Sequence, residues 1–131
     1  MISFLLSVRQ GFRILLMIVY ISCVIALSLL PPKDLPHVQL FEGFDKVVHF
    51  LMYFPLSALL CWNLKVELKN NRILIVFCIA VMWGIFMEYM QLIMHMGRSF
   101  SWYDELANFI GVVFGAFLYW VVTRKFVSVQ A

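Results

Sequence analysis

The chain has 131 residues, of which 64% are hydrophobic and 13% are charged, and its formal net charge is +3. A soluble domain carries charge on about a quarter of its residues, so this composition excludes a soluble globular protein and indicates one membrane-embedded domain over residues 1–131. The basic residues flank apolar segments, which marks them as topology signals and argues against a nucleic-acid partner.

Four apolar segments are long enough to cross a bilayer, because a helix of about 20 residues spans the hydrocarbon core. The first follows basic residues, as in a signal peptide, but it is long for one and stops at Pro31 and Pro32, so we retain it as a span. We therefore predict an all-α, integral membrane four-helix bundle. The predicted spans are Phe12–Leu30, Val47–Leu64, Ile73–Met96 and Leu106–Thr123.

The basic residues are divided unequally between the two membrane surfaces. Four spans place both termini on one side, and seven of the ten lysine and arginine residues lie on that side. Because basic segments stay in the cytoplasm, we predict cytoplasmic N- and C-termini in a multi-pass protein of the inner membrane. The seven residues are Arg9, Arg13, Lys65, Lys69, Arg72, Arg124 and Lys125.

Labelling of intact cells with an impermeant thiol reagent tests this topology, in a background lacking Cys23, Cys61 and Cys78. This topology places the loop Pro31–Lys46 outside the cell, so we expect Gln39→Cys to be labelled and Gln130→Cys, near the C-terminus, to be protected. The reverse pattern would establish the opposite orientation.

Polar side chains interrupt the apolar pattern near the end of the third span and the start of the fourth. Glu88, Gln91 and His95 are spaced i, i+3, i+7, which places them on one helix face. Asp104 and Asn108 are spaced i, i+4 on the next helix. Such groups are costly in lipid and by default mark a functional site or a buried paired site.

The start of the second span contributes a further polar face. Asp45, His49 and Tyr53 follow one another at intervals of four residues. At a rise of about 1.5 Å per residue, Glu88 and Tyr53 lie about 12 Å below the outer ends of their helices, and His49 and Asn108 lie about 6 Å below theirs. Under the predicted topology all of them occupy the outer half of the membrane. We therefore expect a shared polar pocket that faces the outer leaflet.

The order and spacing of three motifs carry a resemblance to a known family. The motifs are Asp45-Lys46-xx-His49-xxx-Tyr53, Gly84-xxx-Glu88-xx-Gln91 and Arg98-xxxxx-Asp104-xxx-Asn108-xx-Gly111-xxx-Gly115. Together they resemble the VanZ-like family of small bacterial membrane proteins, over about Pro31 to Leu118. The resemblance implies a fold and a site more firmly than a reaction, together with a link to the cell envelope and to glycopeptide-antibiotic resistance. His95 and Glu105 lie outside the family pattern.

From the residues we predict recognition of a cell-envelope lipid, or of a lipid-linked precursor, through its anionic head group. Lys46, His49 and Arg98 would contact the head group. For Arg98, an ion pair with Asp104 is supported equally well as a contact with the head group. Membrane lipids are thus the predicted partners. The candidate ligand-binding residues are Asp45, Lys46, His49, Tyr53, Glu88, Gln91, Arg98, Asp104 and Asn108.

Two other classes of function stay open at this point. One is a small membrane hydrolase or transferase that uses Glu88 or His49 as acid or base. The other is a structural subunit of a membrane complex, in which the polar residues serve helix association alone. We predict no cofactor and no metal, because the chain has no HExxH motif, no compact pair of metal ligands, no P-loop and no dinucleotide fingerprint.

Overall fold

A computed structural model describes residues 8–30, 41–66, 71–94 and 100–127. Within these residues the chain forms four α-helices and no strand. Each helix is long and apolar enough to span a membrane, so the prediction of an all-α, four-helix membrane protein is confirmed. The helices are α1 (Gln10–Leu29), α2 (Phe44–Leu64), α3 (Arg72–Ile93) and α4 (Trp102–Val127).

The helices begin before the predicted apolar segments, because their polar first turns are helical as well. α4 begins at Trp102 rather than Leu106, since Ser101 caps it: the Ser101 hydroxyl accepts a hydrogen bond from the Asp104 N–H at 3.3 Å. Acidic residues in this first turn also complement the helix dipole. α3 ends at Ile93, before the predicted Met96. Asp45, Asp104 and Glu105 therefore belong to regular helix and not to loops.

The second and fourth helices form the most extensive contact of the bundle. Gly111 and Gly115 lie on the face of α4 that meets α2. A Cβ atom added at Gly111 would lie 2.6 Å from the carbonyl oxygen of Phe50, which is closer than real Cβ atoms approach. Nearby, the Ser57 hydroxyl donates to the Val112 carbonyl at 2.7 Å. Small residues thus allow the two backbones to meet directly.

α1 contacts α2 close to a proline that lies inside α2. α2 continues through Pro55, which lacks the N–H that would bond the carbonyl of Leu51. The Tyr20 hydroxyl on α1 donates to the Met52 carbonyl at 2.8 Å and lies 3.5 Å from the Leu51 carbonyl. A polar group of a neighbouring helix therefore stands where the proline weakens the backbone ladder.

Near the N-terminus of α1, Arg13 contacts the last turn of α2. Its side chain is buried, and its Nη1 donates to the Trp62 carbonyl at 2.7 Å. The guanidinium also lies over the Trp62 ring, 5.7 Å from the centroid. In return, the Asn63 amide donates to the Arg13 carbonyl at 3.3 Å. A residue counted as a topology signal thus also holds two helices together.

Candidate functional site

Polar residues from three helices meet where α2 and α4 begin and α3 ends. His49 follows Phe44 by five residues and Glu88 precedes Ile93 by five, so each lies about 7.5 Å from its helix end at about 1.5 Å per residue. Asn108 lies about 9 Å into α4 by the same rise. The three side chains therefore stand at similar depths within one end of the bundle.

A histidine stands between two carboxylates that come from different helices. The Nε2 atom of His49 lies 4.0 Å from Oε1 of Glu88 and 3.9 Å from Oδ2 of Asp104. One ligand atom from each residue lies within 4.8 Å of the others. The Glu88 side chain is only 2% exposed, whereas those of His49 and Asp104 are 13% and 14% exposed. We refer to these three residues as the carboxylate–histidine cluster.

Asn108 orients the histidine of this cluster. Its Oδ1 lies 3.0 Å from Nδ1 of His49, and its amide nitrogen donates to Oε2 of Glu105 at 3.2 Å. A carbonyl oxygen only accepts hydrogen bonds, so Nδ1 of His49 carries the hydrogen. In the neutral imidazole the lone pair then resides on Nε2, the nitrogen that faces the two carboxylates. Asn108 itself is buried.

Further contacts connect the cluster to the surrounding chain. The backbone N–H of Ser101 donates to Oε2 of Glu88 at 3.3 Å, which connects α3 to the residue that caps α4. The ammonium group of Lys46 lies 3.1 Å from Oδ1 of Asp104 and also pairs with Asp45. The Lys46 side chain is 38% exposed, so the positive charge stands at the rim of the cluster and not within it.

Comparison with known proteins places this arrangement in a family. A family model described as VanZ/LLP1 matches residues 12–123, which include every member of the cluster. The chain belongs to the VanZ/LLP1 family. The resemblance inferred from the motifs is thereby confirmed, and with the four apolar helices it makes this a multi-pass membrane protein. Neither a curated protein nor a solved structure matches the chain significantly.

Glu105 is a buried residue beside the cluster, and the sequence interpretation assigned it no role. The residue is 8% exposed, and its Oε1 has no hydrogen-bond partner among the residues that the structure describes. Its carboxylate packs against Gly84 of α3, where an added Cβ would lie 2.9 Å from Oε1. The available signal was its i, i+3 spacing to Asn108, which puts both on one face of α4.

Other predicted residues of this VanZ/LLP1 protein lie around the cluster or elsewhere. Gln91 turns towards α1, where its amide donates to the Ser28 carbonyl at 3.0 Å. Tyr53 is buried, 2% exposed, one turn beyond the histidine of the cluster. Two candidates, His95 and Arg98, lie outside the described residues. The structure thus brings together residues of α2, α3 and α4, with Gln91 serving a separate contact.

Acidic side chains outnumber lysines around this site within the described part of the chain. The network of hydrogen bonds and ion pairs contains the carboxylates of Asp45, Glu88, Asp104 and Glu105 but only one lysine, Lys46. Negative charges removed from water need a counter-charge or a proton. Lys46 supplies that counter-charge for Asp104, at 3.1 Å.

Proposed function

We propose that this end of the bundle recognises the head group of a cell-envelope lipid or of a lipid-linked envelope precursor. The position of Lys46 carries the proposal: its side chain is 38% exposed at the rim of a buried polar network, in the first turn of α2. A phosphate or carboxylate that approaches from the membrane surface would meet this charge before it meets the buried carboxylates.

The surface beside the polar network suits the chain of such a lipid. Trp102 and Tyr103 are 73% and 74% exposed at the start of α4, as expected for aromatic residues at a membrane interface. Leu106 continues this face with an exposed aliphatic side chain. An acyl or prenyl chain would lie against these apolar residues, with its head group at Lys46. Under the predicted topology this end faces the outer leaflet, where envelope precursors are used.

Exchange of single charges tests head-group recognition. We expect Lys46→Gln to weaken binding of an anionic lipid about tenfold or more, because a charge-assisted hydrogen bond contributes roughly 1.5–3 kcal/mol. Lys65→Gln is the matched control, since Lys65 is an exposed residue at the other end of α2. We expect the same contrast between Arg98→Ala and Lys69→Ala.

The measurement follows tryptophan fluorescence while purified protein in detergent is titrated with a polyprenyl phosphate or with phosphatidylglycerol. Phosphatidylcholine serves as the zwitterionic reference. Equal losses of affinity in Lys46→Gln and Lys65→Gln would contradict a site at this end of the bundle. A preference for the polyprenyl phosphate over phosphatidylglycerol would identify a lipid-linked precursor as the ligand class.

Acid–base chemistry on the bound lipid is a second candidate function. It is favoured by the orientation of His49, whose Nδ1 is held by Asn108 at 3.0 Å and whose Nε2 faces Glu88 at 4.0 Å. A neutral imidazole held in this way can accept a proton from an attacking group. Mass spectrometry of the lipids after incubation separates the two candidates. A modified lipid that depends on His49 supports catalysis, and an unmodified bound lipid supports recognition.

A further inference from the structure

We propose that the carboxylate–histidine cluster of His49, Glu88 and Asp104 binds one divalent transition-metal ion, and that zinc suits its ligands. The proposal goes beyond lipid recognition and does not depend on it. The sequence does not show this site as a motif. α2, α3 and α4 each supply one ligand, so no short sequence motif contains two of the ligands.

The distances within the cluster are close to those of a bound ion. Nε2 of His49 lies 3.9 Å from a carboxylate oxygen of Asp104 and 4.0 Å from one of Glu88. A tetrahedral zinc with bonds of about 2.0–2.1 Å holds its ligand atoms about 3.4 Å apart. Each histidine–carboxylate pair therefore needs to close by about half an ångström, and the two carboxylate oxygens, which lie within 4.8 Å of each other, by at most about 1.4 Å. Torsional changes of the two acidic side chains provide this movement.

The histidine is already prepared as a ligand. The hydrogen bond from Nδ1 to Asn108 leaves the lone pair on Nε2, the nitrogen that faces Glu88 and Asp104. Metal-binding histidines nearly always donate their second N–H to such an acceptor, which fixes the tautomer and the ring orientation. Asn108 is in turn held by Glu105 at 3.2 Å, so an outer layer of supporting contacts is present.

Charge balance also favours a cation at this position. The two carboxylates of the cluster match the charge of a divalent ion. Beyond Asn108 lies the carboxylate of Glu105, 8% exposed, whose Oε1 has no hydrogen-bond partner within the described ranges. Lys46 does not need to leave, because it contacts Oδ1 of Asp104 at 3.1 Å whereas Oδ2 faces the histidine.

The ligand types select among ions. One imidazole and two carboxylates suit zinc and its neighbours in the first transition series, whereas calcium and magnesium prefer ligand sets made of oxygen alone. Three protein ligands also leave a coordination position for water or for an anionic ligand. We therefore expect zinc to bind and calcium and magnesium to bind much more weakly.

Metal analysis of the purified full-length protein tests the site. Protein treated with a chelator in detergent is equilibrated with zinc, desalted and measured for metal and for its thermal unfolding midpoint. We expect one zinc ion per chain and a higher midpoint with zinc. Because the loss of an outer-layer partner alone costs about 10–100-fold, we expect His49→Gln, Glu88→Gln and Asp104→Asn each to lose zinc affinity by at least this factor.

Controls separate this site from adventitious binding and from the lipid site. Glu42→Gln removes an exposed carboxylate before α2 and is expected to bind zinc as the wild type does. Lys46→Gln is expected to strengthen zinc binding, because it removes a positive charge 3.1 Å from Asp104, although it weakens lipid binding. Failure of folded wild-type protein to bind zinc would overturn the proposal. Unchanged zinc affinity in any folded variant of the three ligands would overturn it as well. Each ligand is changed in a separate variant, so if one variant does not fold, the other two still test the proposal.

Discussion

Glu88→Leu is expected to reduce stability, whereas Glu88→Gln is expected to fold normally and to lose ligand binding. Glu88 is 1% exposed, and its Oε2 accepts the Ser101 N–H at 3.3 Å. The oxygen of a glutamine amide can accept this hydrogen bond, but a leucine leaves the N–H without its partner, at a cost of about 1–3 kcal/mol. Of the three side chains compared at position 88, only glutamate places a negative charge beside His49, at 4.0 Å.

The measurement compares thermal unfolding midpoints of both variants in detergent, followed by zinc and lipid titrations of the protein that folds. Glu42→Gln supplies the control for loss of a carboxylate charge without loss of a buried contact. A Glu88→Gln protein that is as stable as the wild type and binds both ligands normally would assign Glu88 to helix association alone.

Gly115→Ala is expected to lower the free energy of unfolding by about 3 kcal/mol or more, at the upper end of overpacking effects. A Cβ atom at Gly115 would lie 3.0 Å from both the carbonyl carbon of Phe54 and the Cβ of Ser57, and closer still to the Phe54 carbonyl oxygen. Backbone atoms cannot move aside as a flexible side chain does. The two helices would have to separate along the most extensive contact of the bundle.

Gly11→Ala is the matched control, because an added Cβ there meets nothing within 4 Å. It lies in the first turn of α1, where alanine is favoured over glycine by less than the roughly 1 kcal/mol of a helix interior, so we expect unchanged or slightly higher stability. Unfolding is followed by circular dichroism during titration of mixed micelles with a denaturing detergent. Equal stability of Gly115→Ala and Gly11→Ala would show that α2 and α4 are not in close backbone contact.

The sequence predicts the helices well because hydropathy and length are local properties. It also predicts that Gly111 and Gly115 share a face, since their spacing of four residues fixes this within one helix. The polar residues show the limit of such reasoning. Gln91 shares a face with Glu88 by spacing, yet it bonds the Ser28 carbonyl because α3 also contacts α1.

Assembly of the site depends on rotations that spacing does not determine. His49, Glu88 and Asp104 meet only because α2, α3 and α4 each turn a particular side to the bundle axis. Each residue looks like an isolated polar residue within its own segment. Glu105 is a similar case, since its importance follows from contacts with Asn108 on its own helix and with Gly84 on another.

The close pairing of α2 with α4 has a consequence for biosynthesis. These helices are separated in the chain by α3, so a ribosome delivers α2 and α3 to the bilayer before the partner of α2 exists. During that interval His49 and Glu88 have neither Asp104 nor Asn108 beside them, and polar groups in lipid are costly. The nascent protein therefore passes through an incomplete three-helix stage, which ends when α4 enters the membrane. A chain truncated before α4 retains these two residues in the membrane without these partners, and we expect it to be less stable for that reason.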